Sequence, residues 1–383
     1  MKTKMLFILA TLSLGLLIVS CGSDPTPTPE PKPVATATPT PGKFDGLPAG
    51  LRAIIEEAKS EGKVNVRTSG FPKEQIELLQ NGFQEKFGFP VTIEHFAQHP
   101  KEYVTVLAQE AEAGKISSDI AKGGSSPNML PTIGKGGMQD VDWLGTFGPL
   151  FEGSSLEQLK TIHGATEKEI VGHCLADTSS VYGFAYNTER LKKSEIPTTW
   201  DGLWDPKVKG LVGMMSGGFP LGTVGINWGE EKILDYAEKT KANEIVVVSG
   251  GSVGVVKSVI SGETPIGIAS VGTALQNKSK GAPIDVVIPS DLIPYFQVNI
   301  CALKGANQSM AQLFAAWYVA EGRNLVAIAP HYQFHVTDKT GALGEILKAQ
   351  GVENAPTQTW AGAEQGKMRT DLRGKVMKIW TGA

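Results

Sequence analysis

Lys63-Val64-Asn65-Val66-Arg67, running into Thr68-Ser69-Gly70, is the stretch on which the fold reading turns. Its apolar residues alternate as in a strand, and a Ser-Gly turn follows. A helix over Leu51 to Lys59 precedes it, and one carrying Ile76, Leu79 and Phe83 at helical spacing follows. Val91-Thr92-Ile93 repeats the strand pattern, and the next helix puts Val104, Leu107, Ala108 and Ala111 on one face. A third short strand, Asp119-Ile120-Ala121, leads into Gly123-Gly124-Ser125-Ser126. Alternation of helix and strand is the α/β signature.

Farther along, Glu244 to Val248 and Pro265 to Ala269 read as strands on either side of a helix over Val253 to Ile260. Ser309 and Gln312 form a capping-box pattern ahead of an apolar helix, Leu313 to Ala320.

The N-terminal end differs in composition. Lys2 and Lys4 precede the apolar run Met5 to Val19, and Leu17-Ile18-Val19-Ser20-Cys21 resembles the lipobox at which bacterial lipoproteins are cleaved and lipidated. The alternative is a membrane-spanning helix, for which the run falls short of about 20 residues. Cys21 is the expected lipidation site, with residues 1–20 as signal peptide. Alternate prolines from Pro25 to Pro33 make 21–42 an extended tether that forms no core. The expected location is extracytoplasmic, with the chain lipid-anchored to the cell membrane.

About 340 residues remain, more than one hydrophobic core usually supports, so two lobes are expected. With Lys2 and Lys4 removed, 34 basic side chains face 39 acidic ones, a net charge of −5. A weakly acidic chain without a clustered basic stripe excludes nucleic acid as partner. Cys174 and Cys301 are the cysteines left after Cys21, and both a disulfide and two buried thiols are open to them.

Five motifs then occur in a familiar order. Ala58-Lys59-Ser60-Glu61-Gly62-Lys63-Val64 comes first, followed by Tyr182-Gly183-Phe184-Ala185-Tyr186-Asn187-Thr188 and the run from Ile196-Pro197-Thr198-Thr199-Trp200 to Asp205-Pro206-Lys207-Val208-Lys209-Gly210. Ser261 to Ala269 and Gly281 to Pro289 complete the set. Together they resemble the extracellular solute-binding proteins of ABC importers, in the branch that includes ferric-iron binders. The resemblance implies a type II periplasmic-binding-protein fold, two α/β lobes joined by two crossing strands with ligand in the cleft between them. It places the crossings near Tyr182 to Asn187 and Pro294 to Val298, lobe one at 43–185 plus 297–383, and lobe two at 186–296. Both cysteines would then lie near the crossings. Trp200 and Trp204 read as core.

Ligands of open α/β sheets sit beyond the carboxyl ends of strands. Four turns there are rich in Ser and Gly: Ser69-Gly70, Gly124-Ser125, Ser216-Gly217 and Ser249-Gly250. Each offers backbone N–H groups and hydroxyls, Lys122 adds charge, and together they favour a small anion. The same residues also serve as plain turns and N-caps. Tyr186 and Tyr295, with Tyr182, sit by the crossings as cleft wall or hinge packing. No Asp or Glu stands in these turns, which counts against a polyamine.

Ferric binders typically carry adjacent tyrosines where this chain reads Ser270-Val271-Gly272-Thr273. No metal or cofactor is expected, with His99 the weak candidate for a metal. The pairs His95/His99 and His331/His335 have i, i+4 spacing, but flanking Pro100 and Pro330 disfavour a helix. An enzyme reading also exists: Gly250-Gly251-Ser252-Val253-Gly254 fits a nucleophile elbow, with Asp285 or Asp291 and His331 or His335 to complete a triad. The expectation adopted is a non-enzymatic, monomeric solute-binding lipoprotein that hands a small anion to an ABC permease, with ferric iron, a sensor role and a Ser hydrolase as alternatives. No Walker A sequence is present, so ATP would be hydrolysed by another protein.

Overall fold

Ten strands pair among the described residues: β1 Lys63–Thr68, β2 Thr92–Ala97, β3 Ile120–Lys122, β4 Cys174–Asn187, β5 Val212–Met215, β6 Val246–Val248, β7 Ile266–Ser270, β8 Ile284–Val287, β9 Ile293–Ala302 and β10 Thr357–Gln358. They come from a computed structural model that describes residues 42–68, 71, 73–98, 100–326, 335–339 and 341–382. Cys21, Ser69, Gly70, His99 and His331 lie outside the described residues.

Spatial order is β2-β1-β3-β9-β4-β7-β5-β6, with β8 beside β4 and β10 beside β9. The β1, β2 and β3 strands are parallel, as are β7, β5 and β6, and helices form the connections between them. Between these groups run the antiparallel strands β9 and β4. β4 pairs with β9 from Cys174↔Cys301 to Val181↔Tyr295, then turns to β7 from Tyr182↔Ser270 onward. The strand therefore changes sheets between Val181 and Tyr182. That is four residues ahead of the expected lobe boundary at 185/186.

Every β4 residue but Ser180 is buried, yet its middle reads Asp177-Thr178-Ser179-Ser180. Buried polar side chains require hydrogen-bond partners, so such a run marks a place where the sheet does something other than pack. A disulfide joins Cys174 to Cys301, directly opposed on β4 and β9.

From Phe44 onward the chain packs as one unit with two main cores. One gathers Leu51, Val64, Phe83, Trp143, Phe314 and Trp317 around the first parallel group. The other gathers Phe184, Trp200, Met214, Tyr236, Val256 and Ile268 around the second. Trp200 is core as expected, its indole N–H donating to the Leu292 carbonyl at 2.8 Å. The expected assignment of 297–383 to lobe one does not describe its last part. Val336, Leu343, Leu347, Leu372, Val376 and Trp380 all join the second core. Helix Gly362–Thr381 lays Leu372, Val376 and Trp380 inward, and Trp380 donates to the Ala237 carbonyl at 3.0 Å.

The expected cap at Ser309 is also displaced. Helix Gln308–Trp317 begins ahead of it, and the Ser309 hydroxyl donates to Glu57 at 3.0 Å.

Candidate functional site

The parallel strands of the two groups end toward the β4–β9 pair, and the turns that follow them differ in how open they are. After β3, Gly124 has φ +78° and a side chain there would strike Met129, while its carbonyl accepts from the Asn299 amide at 3.1 Å. The Ser125 hydroxyl donates to Asn128 Oδ1 at 2.7 Å, and Ser125 is buried. The donors of Ser125 are thus engaged in capping helix Ser126–Gly134. Ser125→Ala should cost roughly 1 kcal/mol of stability and leave solute affinity unchanged; a weaker complex at unaltered stability in titration calorimetry would contradict this.

Lys122 is likewise committed. Its Nζ lies 2.8 Å from Asp177 Oδ2 and over the rings of Phe71 and Tyr318 at 5.3 and 5.5 Å. Burial alone would pull the ammonium down, but Asp177 and Tyr318 override it and hold it above the usual lysine value. The charge expected to meet a ligand is neutralised inside the protein. Arg323 extends the network, donating to the Asp177 carbonyl at 2.7 Å and pairing with Asp338 at 3.2 Å.

In the second group the turns are open. Ser216 and Gly217 are exposed after β5, and Ser249 and Gly250 after β6. Tyr186 is remote from them: it packs in the second core opposite Ile266 and Asp285, where burial, and then Asp285, raises its phenol. Tyr295 stands at the strand change opposite Val181, edge-on to His335 with centroids 5.5 Å apart. Burial, with Glu167 adding to it, keeps its phenol protonated.

Other side chains converge on the strand change, among which the sequence reading singles out Tyr182 as cleft wall or hinge packing. Ser180 and Ser270 hydroxyls meet at 3.1 Å. Beside them Tyr182, Phe219, Phe296 and Trp360 form a continuous aromatic wall, with successive centroids 5.1 to 6.5 Å apart. Against this wall lies Arg369, its guanidinium carbon 3.8 Å from the Trp360 centroid and 4.7 Å from that of Phe219. Hydroxyls, rings and a cation from separate elements thus surround the point where β4 passes between sheets. Such a place can hold a small polar solute and has the parts to sense its closure.

Residues 150–331, which contain β4 through β9, match the family model of bacterial extracellular solute-binding proteins. That stretch is just under half of the chain. An uncharacterized protein of Haemophilus influenzae is 31 % identical over 243 residues, covering 57 % of this chain and 66 % of that relative, just under two thirds of its length. Among solved structures, iron-bound HitA from Pseudomonas aeruginosa is similar at 17 % identity and a TM-score of 0.59, over 82 % of this chain and 99 % of that one. A Bordetella ferric binding protein gives 20 % identity and 0.60, over 83 % and 98 %. The spermidine/putrescine substrate-binding protein PotD of Streptococcus pneumoniae gives 16 % and 0.59, over 83 % and 99 %. The shared architecture is the type II periplasmic-binding-protein fold.

In this chain the residues of the hydrolase alternative are engaged elsewhere. Ser252 Oγ accepts from the Ser270 amide at 3.1 Å, Asp285 pairs with Lys278 at 2.8 Å, and Asp291 accepts from the Trp200 amide. Both His335 ring nitrogens are taken, by Thr337 at 2.8 Å and Gln297 at 3.1 Å. Burial, then Arg323, brings that imidazole down to about 3, so it stays neutral. His335 lies outside any helix and His95 on β2; the other members of the two pairs, His331 and His99, lie outside the described residues.

Glu167 is a further acid near Tyr295, half-buried with both carboxylate oxygens withdrawn from water. Burial pushes its carboxyl from 4.5 up to about 7, the Ser126 hydroxyl opposes the shift, and Glu169 adds to it. The folded state therefore binds more protons than the unfolded chain between pH 4.5 and 7, and stability falls as pH rises through that window. Glu167→Gln should remove that slope, leaving the variant about 2 kcal/mol more stable than wild type near pH 8 and no more stable near pH 4. Urea unfolding at the two pH values measures it; parallel wild-type and variant profiles would refute the assignment.

Proposed function

We propose that this protein captures a small anionic solute between two lobes, 43–185 with part of 297–383 and 186–296, and delivers it to an ABC permease. Cys21 would carry the lipid that keeps it at the outer face of the cytoplasmic membrane, and the protein would work as a monomer without chemistry of its own. The reading is carried by the polar run Asp177–Ser180 where β4 changes sheets, flanked by Ser270 from the second group and Gln297 and Asn299 on β9. Solute touching both groups only when they close would shift the population to the closed form that a permease recognises. The open turns Ser216-Gly217 and Ser249-Gly250 expose hydroxyls and glycine backbone suited to an anion, the Ser216 N–H itself donating to the Val248 carbonyl.

Two of the similar structures are named for iron. In this chain the segment after β7 is Val271-Gly272-Thr273, with Val271 and Gly272 buried, and it offers no phenolate. Ferric iron is therefore the second reading. A thermal-shift screen of the full chain against carboxylates, phosphonates, oxyanions, polyamines and ferric citrate decides between them. Anion at 100 times its dissociation constant adds about 2.7 kcal/mol and should raise the midpoint by several degrees. A rise with ferric citrate that citrate alone does not give would instead support the metal reading.

A further inference from the structure

Two arginines are buried, and both have carboxylate partners. Arg67 pairs with Glu110 at 3.2 Å and also donates to Gln98 and Ser117. Arg323 pairs with Asp338. Arg369 has no such partner: its Nε and Nη1 are buried without a hydrogen-bond acceptor among the described residues. The charged group beside it is another cation, Arg373, and Tyr182 supplies the nearest favourable oxygen. Burial and Arg373 pull the guanidinium down to about 10, which leaves it charged at neutral pH.

Two guanidinium N–H groups withdrawn from water without an acceptor are costly, so a side chain held this way is suited to an acceptor that the chain itself does not provide. The position is built. Gly222 lets helix Gly362–Thr381 approach so closely that a side chain there would collide with the Arg369 carbonyl, and the Trp360 and Phe219 rings, 81° to one another, both pack against the guanidinium. The unpartnered Nε and Nη1 groups remain. Tyr182, the first residue past the sheet change, links this position to Ser270, its partner on β7, and so to the Ser180 hydroxyl.

Resting on the capture function above, we propose that Arg369 receives the acidic group of the solute, and that the cargo is an organic anion whose carbon body lies along Tyr182, Phe219, Phe296 and Trp360. A carboxylate or phosphonate matches guanidinium N–H groups. An inorganic oxyanion would need donors on all sides, and the wall here is carbon.

Benzoate, phenylphosphonate, sulfate, putrescine and ferric citrate are titrated calorimetrically into full-length wild type, Arg369→Gln and Arg369→Lys, and the ligand-free thermal midpoint of each is recorded. The expected result is that an organic anion binds wild type, that Arg369→Gln weakens it roughly tenfold to a hundredfold, and that Arg369→Lys falls between. The ligand-free midpoint of Arg369→Gln should equal or exceed that of wild type, since an uncompensated charge has gone. A lower midpoint with unchanged affinity would make Arg369 a structural residue and overturn the proposal while leaving anion capture standing. Sulfate binding as tightly as the organic anions would overturn the organic assignment. Binding of putrescine or ferric citrate alone would overturn both the proposal and the anion reading.

Discussion

Asp177→Asn is expected to cost about 3–5 kcal/mol of folding stability, because it leaves one buried cation without its counter-charge and removes the field that steadies a second. Lys122, 13 % exposed, pairs with the carboxylate of this fully buried residue, and Arg323, also fully buried, donates to its carbonyl and is favoured by its charge. At roughly 1–2 °C per kcal/mol for a chain of this size, the thermal midpoint should fall by about 5 °C. Adding Lys122→Met to Asp177→Asn should restore a large part of the loss, since apolar replacement of both partners is far less costly than orphaning one. Urea unfolding of the single and double variants gives the coupling directly. A single-variant cost under about 1 kcal/mol would show that the buried pair is not formed in solution.

Removal of the disulfide by Cys174→Ala with Cys301→Ala should cost about 3–5 kcal/mol, because the bridge closes a loop of 127 residues and restricts the unfolded chain. The loss should appear as a midpoint lowered by roughly 5 °C and be reproduced in wild type by a strong reductant. Solute affinity should not follow it, since Cys174 stands seven residues before Val181 on β4, away from the sheet change. A double variant with unchanged stability would show that the two thiols remain unlinked.

Local chemistry made the parallel groups legible. Val64 and Val66, Ile93, and Ile120 sit in strands as their alternation predicts, and Ser249-Gly250 does lie between a strand and a helix, which begins at Gly251. The candidate site was less legible because its residues are assembled over distance. Lys122 reads as a free charge until Asp177 arrives on a different strand. Ser125 reads equally as donor or cap, and Asn128 three residues later decides for the cap. The polar run Asp177–Ser180 within an apolar strand was the one signal available for the sheet change. Arg369 carried no such signal, since one of two arginines on a mostly polar helix becomes distinctive only when Trp360, Phe219 and Gly222 surround it.

Every strand of both sheets ends by Gln358, and Trp360 and Arg369 follow it. A polypeptide made and exported from its N-terminus can thus complete both sheets before the residues that finish the aromatic wall emerge. Competence to hold cargo would be acquired last, when helix Gly362–Thr381 docks, so a half-made chain would not trap solute on its way out.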